Sequence, residues 1–266
     1  MAVSVGAFYH PHLARETLEL AGFIQHLAMA DPPRADDPLF PTVRARFTLL
    51  LHDFLGQLSE PVEGSALERA RRLVALYDPP WVAEHLQRVH TTAGDAFVDY
   101  VFPPAYTEDL LADYARNARA LQAALGRPLI LEPIPTYLRL DVPQLDEAAF
   151  VERFLAESGC GLLLDVSHAW LSAHYAGRPA RDFLQTLPLE RVVELHVGGV
   201  EADRDLGGPW IGTAVPTREL LELARLAAER APGLRAVTFD AFSSALTAAT
   251  LRAGVQAIRD HLGLPA

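Results

Sequence analysis

Short apolar runs alternate along this chain with longer segments whose apolar residues recur at helical spacing. The runs at 3–8, 23–28, 47–51, 81–83, 129–131, 161–165, 192–195 and 236–239 read as strands. Their nearly unbroken hydrophobicity suits strands covered on both faces, as in a parallel sheet. The segments at 66–77, 108–125, 147–157, 218–230 and 248–261 read as helices. In the first of these Leu67, Ala70, Leu73, Val74 and Tyr77 share one face. Thr107 and Thr217 stand where N-caps belong, and Gly126 where a helix closes. Pro79-Pro80 and Pro232-Gly233 act as stops.

Alternating β and α segments imply a parallel sheet, and eight such units in this length favour closure into a (β/α)8 TIM barrel. The links entering strands are short, as at Gly126-Arg127-Pro128 and Gly159-Cys160, whereas those leaving strands are long, as at 133–145 and 201–216. Barrel enzymes carry their active sites on the long-loop side, at the carboxyl ends of the strands. We therefore expect one domain over residues 1–266, with a Pro- and Asp-rich loop at 29–41 and a long active-face loop at 200–216. The first loop reads either as a lid or as a poorly ordered excursion.

Six of the apolar runs break off on a potential metal ligand: His52, His85, Glu132, Asp165, His196 and Asp240. His168 follows Asp165 by three residues, so that an anionic oxygen and a ring nitrogen stand close together. Each has a plainer reading. Asp165 could cap the next helix, the histidines could be satisfied core residues, and the other acids could bind helix ends or an Arg. Taken jointly, three imidazoles and three carboxylates on one barrel rim need a compensating charge, and a divalent cation supplies it. Iron, manganese and zinc all suit mixed imidazole and carboxylate ligands. His10 and His12, after the first strand, read either as ligands or as loop residues. Gly198 and Gly199 allow close backbone approach to a substrate, and Trp210 could floor a pocket or anchor its loop.

Composition narrows the chemistry. Of 266 residues 50% are hydrophobic, which fits one large core, and the formal net charge of −11 disfavours a surface for nucleic acid. Lys is absent, which removes a Schiff-base or P-loop lysine. A single cysteine, Cys160, excludes an intrachain disulfide and a thiolate-built cluster. No apolar run reaches membrane-spanning length, and the N-terminus lacks a basic segment followed by an apolar core. No membrane association and a cytoplasmic location are expected.

Four segments carry a family resemblance: Trp81-Val82-Ala83-Glu84-His85-Leu86, 126–132 (Gly-Arg-Pro-Leu-Ile-Leu-Glu), 160–166 (Cys-Gly-Leu-Leu-Leu-Asp-Val) and 193–199 (Val-Glu-Leu-His-Val-Gly-Gly). In order and approximate spacing they resemble the multinuclear non-heme iron-dependent oxidases (MNIO). The resemblance covers most of the chain from about Phe47 onward. It implies that His52, His85, Glu132, Asp165 and His196 fall on ligand positions, with Asp240 where the family usually carries Glu. It further implies two irons, dioxygen and a peptide or small thiol substrate, with a small partner protein delivering the peptide. The chain has Pro133, Ser167-His168 and Val200 where that family usually has Asn, Asn-Asn and His. In these positions it is similar to the wider xylose isomerase-like barrels, in which a Glu, an Asp-x-x-His, a further His and a final acid hold metal. The alternatives that follow are a sugar isomerase or epimerase using one divalent metal, and a barrel with eroded ligands acting as a binding subunit.

Overall fold

The computed structural model describes residues 3–29, 38–52, 58–90, 97–137, 141–142, 144–203, 208–241 and 243–264. Eight parallel strands close into a barrel: β1 (Ser4–Phe8), β2 (His26–Met29), β3 (Thr48–His52), β4 (Val82–Leu86), β7 (Leu129–Pro133), β8 (Gly161–Asp165), β9 (Val192–Asp203) and β11 (Ala236–Asp240). The ring is completed where Ser4 of β1 pairs with Ala236 of β11 and Leu162 of β8 with Val192 of β9. Every expected strand is present; seven have ends within three residues of those expected, and the strand expected at 192–195 runs on to Asp203.

Two hairpins are added to the ring. After β4, strands β5 (Arg88–His90) and β6 (Phe97–Phe102) pair antiparallel. After His196, β9 runs on beyond the barrel and pairs antiparallel with β10 (Gly208–Gly212), Gly199 opposite Gly212 and Asp203 opposite Gly208. The stretch expected as one long loop at 200–216 is thus largely a ribbon among its described residues. Gly208, Pro209 and Gly212 disguise it, because such residues ordinarily punctuate loops. Glu201 firms its base by accepting hydrogen bonds from the backbone N–H groups of Thr213 and Ala214, at 3.0 and 3.1 Å. Of the expected loop at 29–41, Met29 ends β2 and Phe40 opens a helix, while 30–37 lie outside the described residues.

The helices are α1 (Ala14–Glu19), α2 (Phe40–Arg46), α3 (Gly64–Tyr77), α4 (Glu108–Leu125), α5 (Glu147–Ser158), α6 (Val166–Tyr175), α7 (Ala180–Leu184), α8 (Arg218–Arg230) and α9 (Ala248–Leu262). Thr107, Thr217 and Thr247 cap α4, α8 and α9 by accepting from the third N–H beyond. Ser243 Oγ accepts from the N–H of Ala245 in the turn before α9. Helix α6 starts directly at the end of β8, with no Gly or Pro to announce it.

Side chains alternate between two apolar compartments with period two. Leu50, Trp81, Ala83, Ile130, Leu163 and Ala236 form a small cluster inside the ring. Their strand neighbours Leu49, Leu51, Val82, Leu129, Leu131, Leu162, Leu164 and Val237 point the other way, into the large core shared with the helices. The inner cluster is small because polar side chains take up the rest of the barrel interior.

Candidate metal centre

The same alternation that aims Leu50, Ala83, Ile130 and Leu163 inward aims His52, His85, Glu132 and Asp165 inward two residues later, one layer nearer the strand ends. Strand register sets them side by side: His85 is level with Glu132, and Asp165 with His196. All seven residues expected as ligands gather there, six from strands and His168 from the first turn of α6.

Glu132 is their centre and is wholly buried. Its Oε2 lies 3.1 Å from His52 Nε2 and 3.2 Å from His85 Nε2. Its Oε1 lies 3.3 Å from His168 Nδ1 and 3.7 Å from His196 Nδ1. Asp240 Oδ2 is also 3.7 Å from His196 Nδ1. Ligand atoms of His52, Glu132 and His196 all fall within 4.8 Å of one another, and so do those of Glu132, Asp165, His196 and Asp240. Asp165 satisfies both of its readings at once. Oδ1 accepts the N–H of His168 at 2.8 Å and caps α6, while Oδ2 faces the cluster, 4.0 Å from His168 Nε2. His168 Nδ1 also lies 3.2 Å from the carbonyl of Pro133; a carbonyl can only accept, so Nδ1 carries the proton and Nε2 the lone pair.

The electrostatics are those of a cation site. Burial alone would push Glu132 up, but His196, His85 and His52 outweigh it and hold the carboxyl well below its usual range. Burial would push His196 down, yet Glu132, Asp240 and Glu194 raise it well above an ordinary imidazole. Asp165 is pushed up to about 6, chiefly by burial, with Asp240 and Glu132 adding and His168 opposing. A cluster that grips protons this way has the ligands and the field to exchange them for a metal ion. The donor set, imidazoles and carboxylates without thiolate, fits iron, manganese or zinc.

The remaining two strands close the ring with apolar groups, Phe8 and Ala28. Phe8 meets His52 and His196 edge-on, with ring centroids 5.4 and 5.5 Å apart. His12 Nε2 lies 3.1 Å from the carbonyl of Leu246, which ties the loop after β1 to the loop after β11. Gly198 and Gly199 lie in β9, where close backbone neighbours explain them: an added Cβ would stand 2.6 Å from Asp240 O and 2.4 Å from Ala214 O respectively. Trp210, on β10, stacks on Tyr137 with centroids 4.3 Å apart at 18°, and Tyr137 meets Tyr175 edge-on at 5.2 Å. The Tyr175 hydroxyl donates to the carbonyl of Pro209 at 2.9 Å. These rings join the ribbon to α6 and to the segment leaving β7.

Sequence reasoning missed the layer beneath the cluster. Glu194, His26, Thr238 and Trp81 are buried inside the barrel and bonded to one another. Glu194 Oε2 accepts from Trp81 Nε1–H at 2.9 Å, and Oε1 accepts from the Thr238 hydroxyl at 2.7 Å. The same Oε1 is 3.2 Å from His196 Nε2. His26 Nε2 is 2.9 Å from Thr238 Oγ1, and His26 Nδ1 is 2.8 Å from Ser4 Oγ. Burial pulls His26 down to about 4. Glu194 is lowered to about 2, because hydrogen bonds and charge from His196, with help from His26 and Thr238, overcome the burial that opposes ionisation. One signal was readable: Glu194 stands two residues before His196 and so shares its face.

Residues 27–230 match the family model described as RiPP precursor modification enzyme MbnB/TglH/ChrH. A UPF0276 protein of Paraburkholderia phytofirmans is 30% identical over 208 residues, covering 75% of this chain and 66% of that protein. One from Rhizobium meliloti is 29% identical over 209 residues, with the same two coverages. The matched chain thus spans just under two thirds of the length of these relatives. Among solved structures, a xylose isomerase domain containing protein from Salmonella typhimurium superposes with TM-score 0.66 at 13% identity, covering 98% of this chain and 97% of that one. A xylose isomerase-like TIM barrel protein from Mycobacterium smegmatis, in complex with magnesium, gives 0.58 at 14%, with the same coverages. At such identities the likeness concerns the fold.

Proposed function

Because the chain belongs to the MbnB/TglH/ChrH family of RiPP precursor modification enzymes, we propose that it is a metal-dependent oxidase of a precursor peptide, using two irons and dioxygen. The observation that carries the reading is the central carboxylate. Glu132 turns one oxygen toward His52 and His85 and the other toward His168 and His196. Two metal ions would be held here, with His52, His85, His168 and His196 as imidazole ligands and Glu132, Asp165 and Asp240 as carboxylate ligands. Iron held by such ligands supplies dioxygen activation and electron transfer.

The chain's own residues do the rest. The six strands and α6 fix the ligand geometry, and Phe8 keeps the inner wall dry so that charges there act in a low dielectric. Trp210, with Tyr137 and Tyr175, offers a flat aromatic surface on the active face for a peptide segment, and Gly198 and Gly199 let backbone pass close to the rim. A peptide substrate or a small thiol compound would enter from that side, the peptide brought by a small partner protein. A second reading, a sugar isomerase or epimerase with one divalent metal, draws support from the Asp165–His168 pair and from the fold neighbours.

Metal analysis by plasma mass spectrometry on anaerobically purified protein, with its Mössbauer spectrum, separates these readings. The oxidase requires about two irons per chain with a coupled signal, and loss of both in His85→Ala and Asp165→Ala. One manganese, zinc or magnesium without iron points to the isomerase. Protein that takes up no metal under any condition, or variants whose metal content is unchanged, removes the site altogether and leaves a binding subunit.

A further inference from the structure

The hydrogen-bond network under the cluster permits only one assignment of protons. The Trp81 indole N–H can only donate, so Glu194 Oε2 accepts it. The Thr238 hydroxyl spends its single hydrogen on Glu194 Oε1, so the His26 nitrogen facing Thr238 must donate to it. His26 Nδ1 then accepts from Ser4. Glu194, meeting donors at both oxygens, is an acceptor throughout, and the nitrogen of His196 that faces it must carry a hydrogen. That nitrogen is Nε2, at 3.2 Å. Nδ1, the atom that faces Glu132 and Asp240, is therefore the nitrogen that gives up its proton and offers a lone pair when a metal ion binds.

We infer that Glu194 is a positioning residue that fixes the tautomer of His196, so that this histidine binds metal through Nδ1 and never through Nε2. Trp81 and the Thr238–His26–Ser4 chain hold Glu194 in turn, so the choice is made by side chains reaching down to the first residue of β1. The inference rests on the metal reading of the cluster and adds to it which atom of which ligand is used and what enforces that use. A carboxylate behind a metal-bound imidazole commonly serves this end, and its loss typically costs 10–100-fold in metal affinity.

The substitution Glu194→Gln tests it sharply. The amide oxygen must face Trp81, since the alternative sets one N–H against another. The amide nitrogen then donates toward His196 Nε2, which can accept only if His196 moves its proton to Nδ1, into the metal position. Zinc serves as a diamagnetic probe ion. In wild-type protein loaded with zinc, nitrogen-15 NMR of the histidine side chains should show His196 coordinated at Nδ1, with a slowly exchanging Nε2–H. In Glu194→Gln, chelator competition should show zinc affinity reduced by about 10–100-fold, and the Nε2–H resonance should vanish. Coordination through Nε2 in the wild type overturns the inference without help from any variant. So does an affinity unchanged in a Glu194→Gln protein that melts like the wild type. Wild-type protein that binds no zinc, iron or manganese defeats the metal reading itself, which is a different outcome from either.

Discussion

Glu147 makes a prediction that can be worked through from geometry to a number. It opens α5, and its Oε2 accepts from the Thr136 hydroxyl at 2.9 Å. Thr136 in turn lies 3.2 Å from the Tyr106 hydroxyl, and its N–H donates to Ser172 Oγ at 3.0 Å. These bonds fasten the segment that leaves the barrel just after Glu132. Burial pushes the Glu147 carboxyl from its ordinary 4.5 to about 7, with Asp146 adding and the hydrogen bonds from Thr136 and Ser172 opposing. A raised folded-state value means that the folded protein holds this proton more tightly than the unfolded chain. The group's contribution is therefore fully present below pH 4.5 and is lost as pH rises through 7. The full difference corresponds to about 3 kcal/mol. Since the side chain is only partly buried, solvent screening brings the observable figure to about 1–2 kcal/mol. Glu147→Gln keeps an oxygen for Thr136 and cannot ionise. Urea unfolding of both proteins from pH 5 to 8 should show the variant gaining on the wild type by about 1–2 kcal/mol across that window. Taking the difference cancels Asp165 and the histidines, which titrate in the same range in both proteins. A constant difference at every pH, or a variant that falls behind as pH rises, refutes the reasoning.

Two further outcomes follow from close approaches. In Gly254→Ala the new methyl would stand 2.5–2.7 Å from the Phe239 ring. The helix gains about 1 kcal/mol from alanine, and overpacking costs about 1–3, so urea melts should show a net loss of about 1 kcal/mol; a stabilised variant contradicts this. In Gly198→Ala the methyl would press on the backbone oxygen of Asp240 at 2.6 Å. Displacing that carboxylate should lower metal retention while the far-ultraviolet circular dichroism stays unchanged, and wild-type metal content would show that the strand end yields without moving it.

The buried cluster of imidazoles and carboxylates is legible because a polar donor that ends an apolar run breaks the pattern. His52, Glu132 and Asp165 each follow three buried apolar residues, His196 and Asp240 end runs broken by one buried polar residue, and the barrel fold brings all strand ends together. Glu194, His26 and Trp81 went unread because they break no pattern. A polar residue within a strand is ordinarily an outward-facing one, and only the ring's closure makes that face an interior. Glu194 could have been found by counting two back from His196. His26 could not, since nothing in 23–28 says which neighbours it meets. Helix α6 is announced only by its N-cap: Asp165 reads as a cap of the next helix, and the short run 166–175 has no Gly or Pro to mark where that helix begins or ends. The β9–β10 ribbon was masked by glycines whose reason is the nearness of Ala214 O to Gly199 and of the Glu201 side chain to Gly212.

The pairing of β1 with β11 has a consequence for how the protein comes into being. His52 and His85 lie in the first half of the chain, and His196 and Asp240 in the second. They face one another only once Ala236–Asp240 has docked beside Ser4–Phe8. Contacts of such sequence separation are the slow ones to form. A growing chain that already carries His52, His85 and Glu132 still lacks the enclosure that makes them a cation site. Metal capture should therefore follow the last seam to close: in refolding experiments it should track the final phase of tryptophan fluorescence and show no uptake in the burst before it. The ring would load its ion only as a finished object, and half-made chains would hold none.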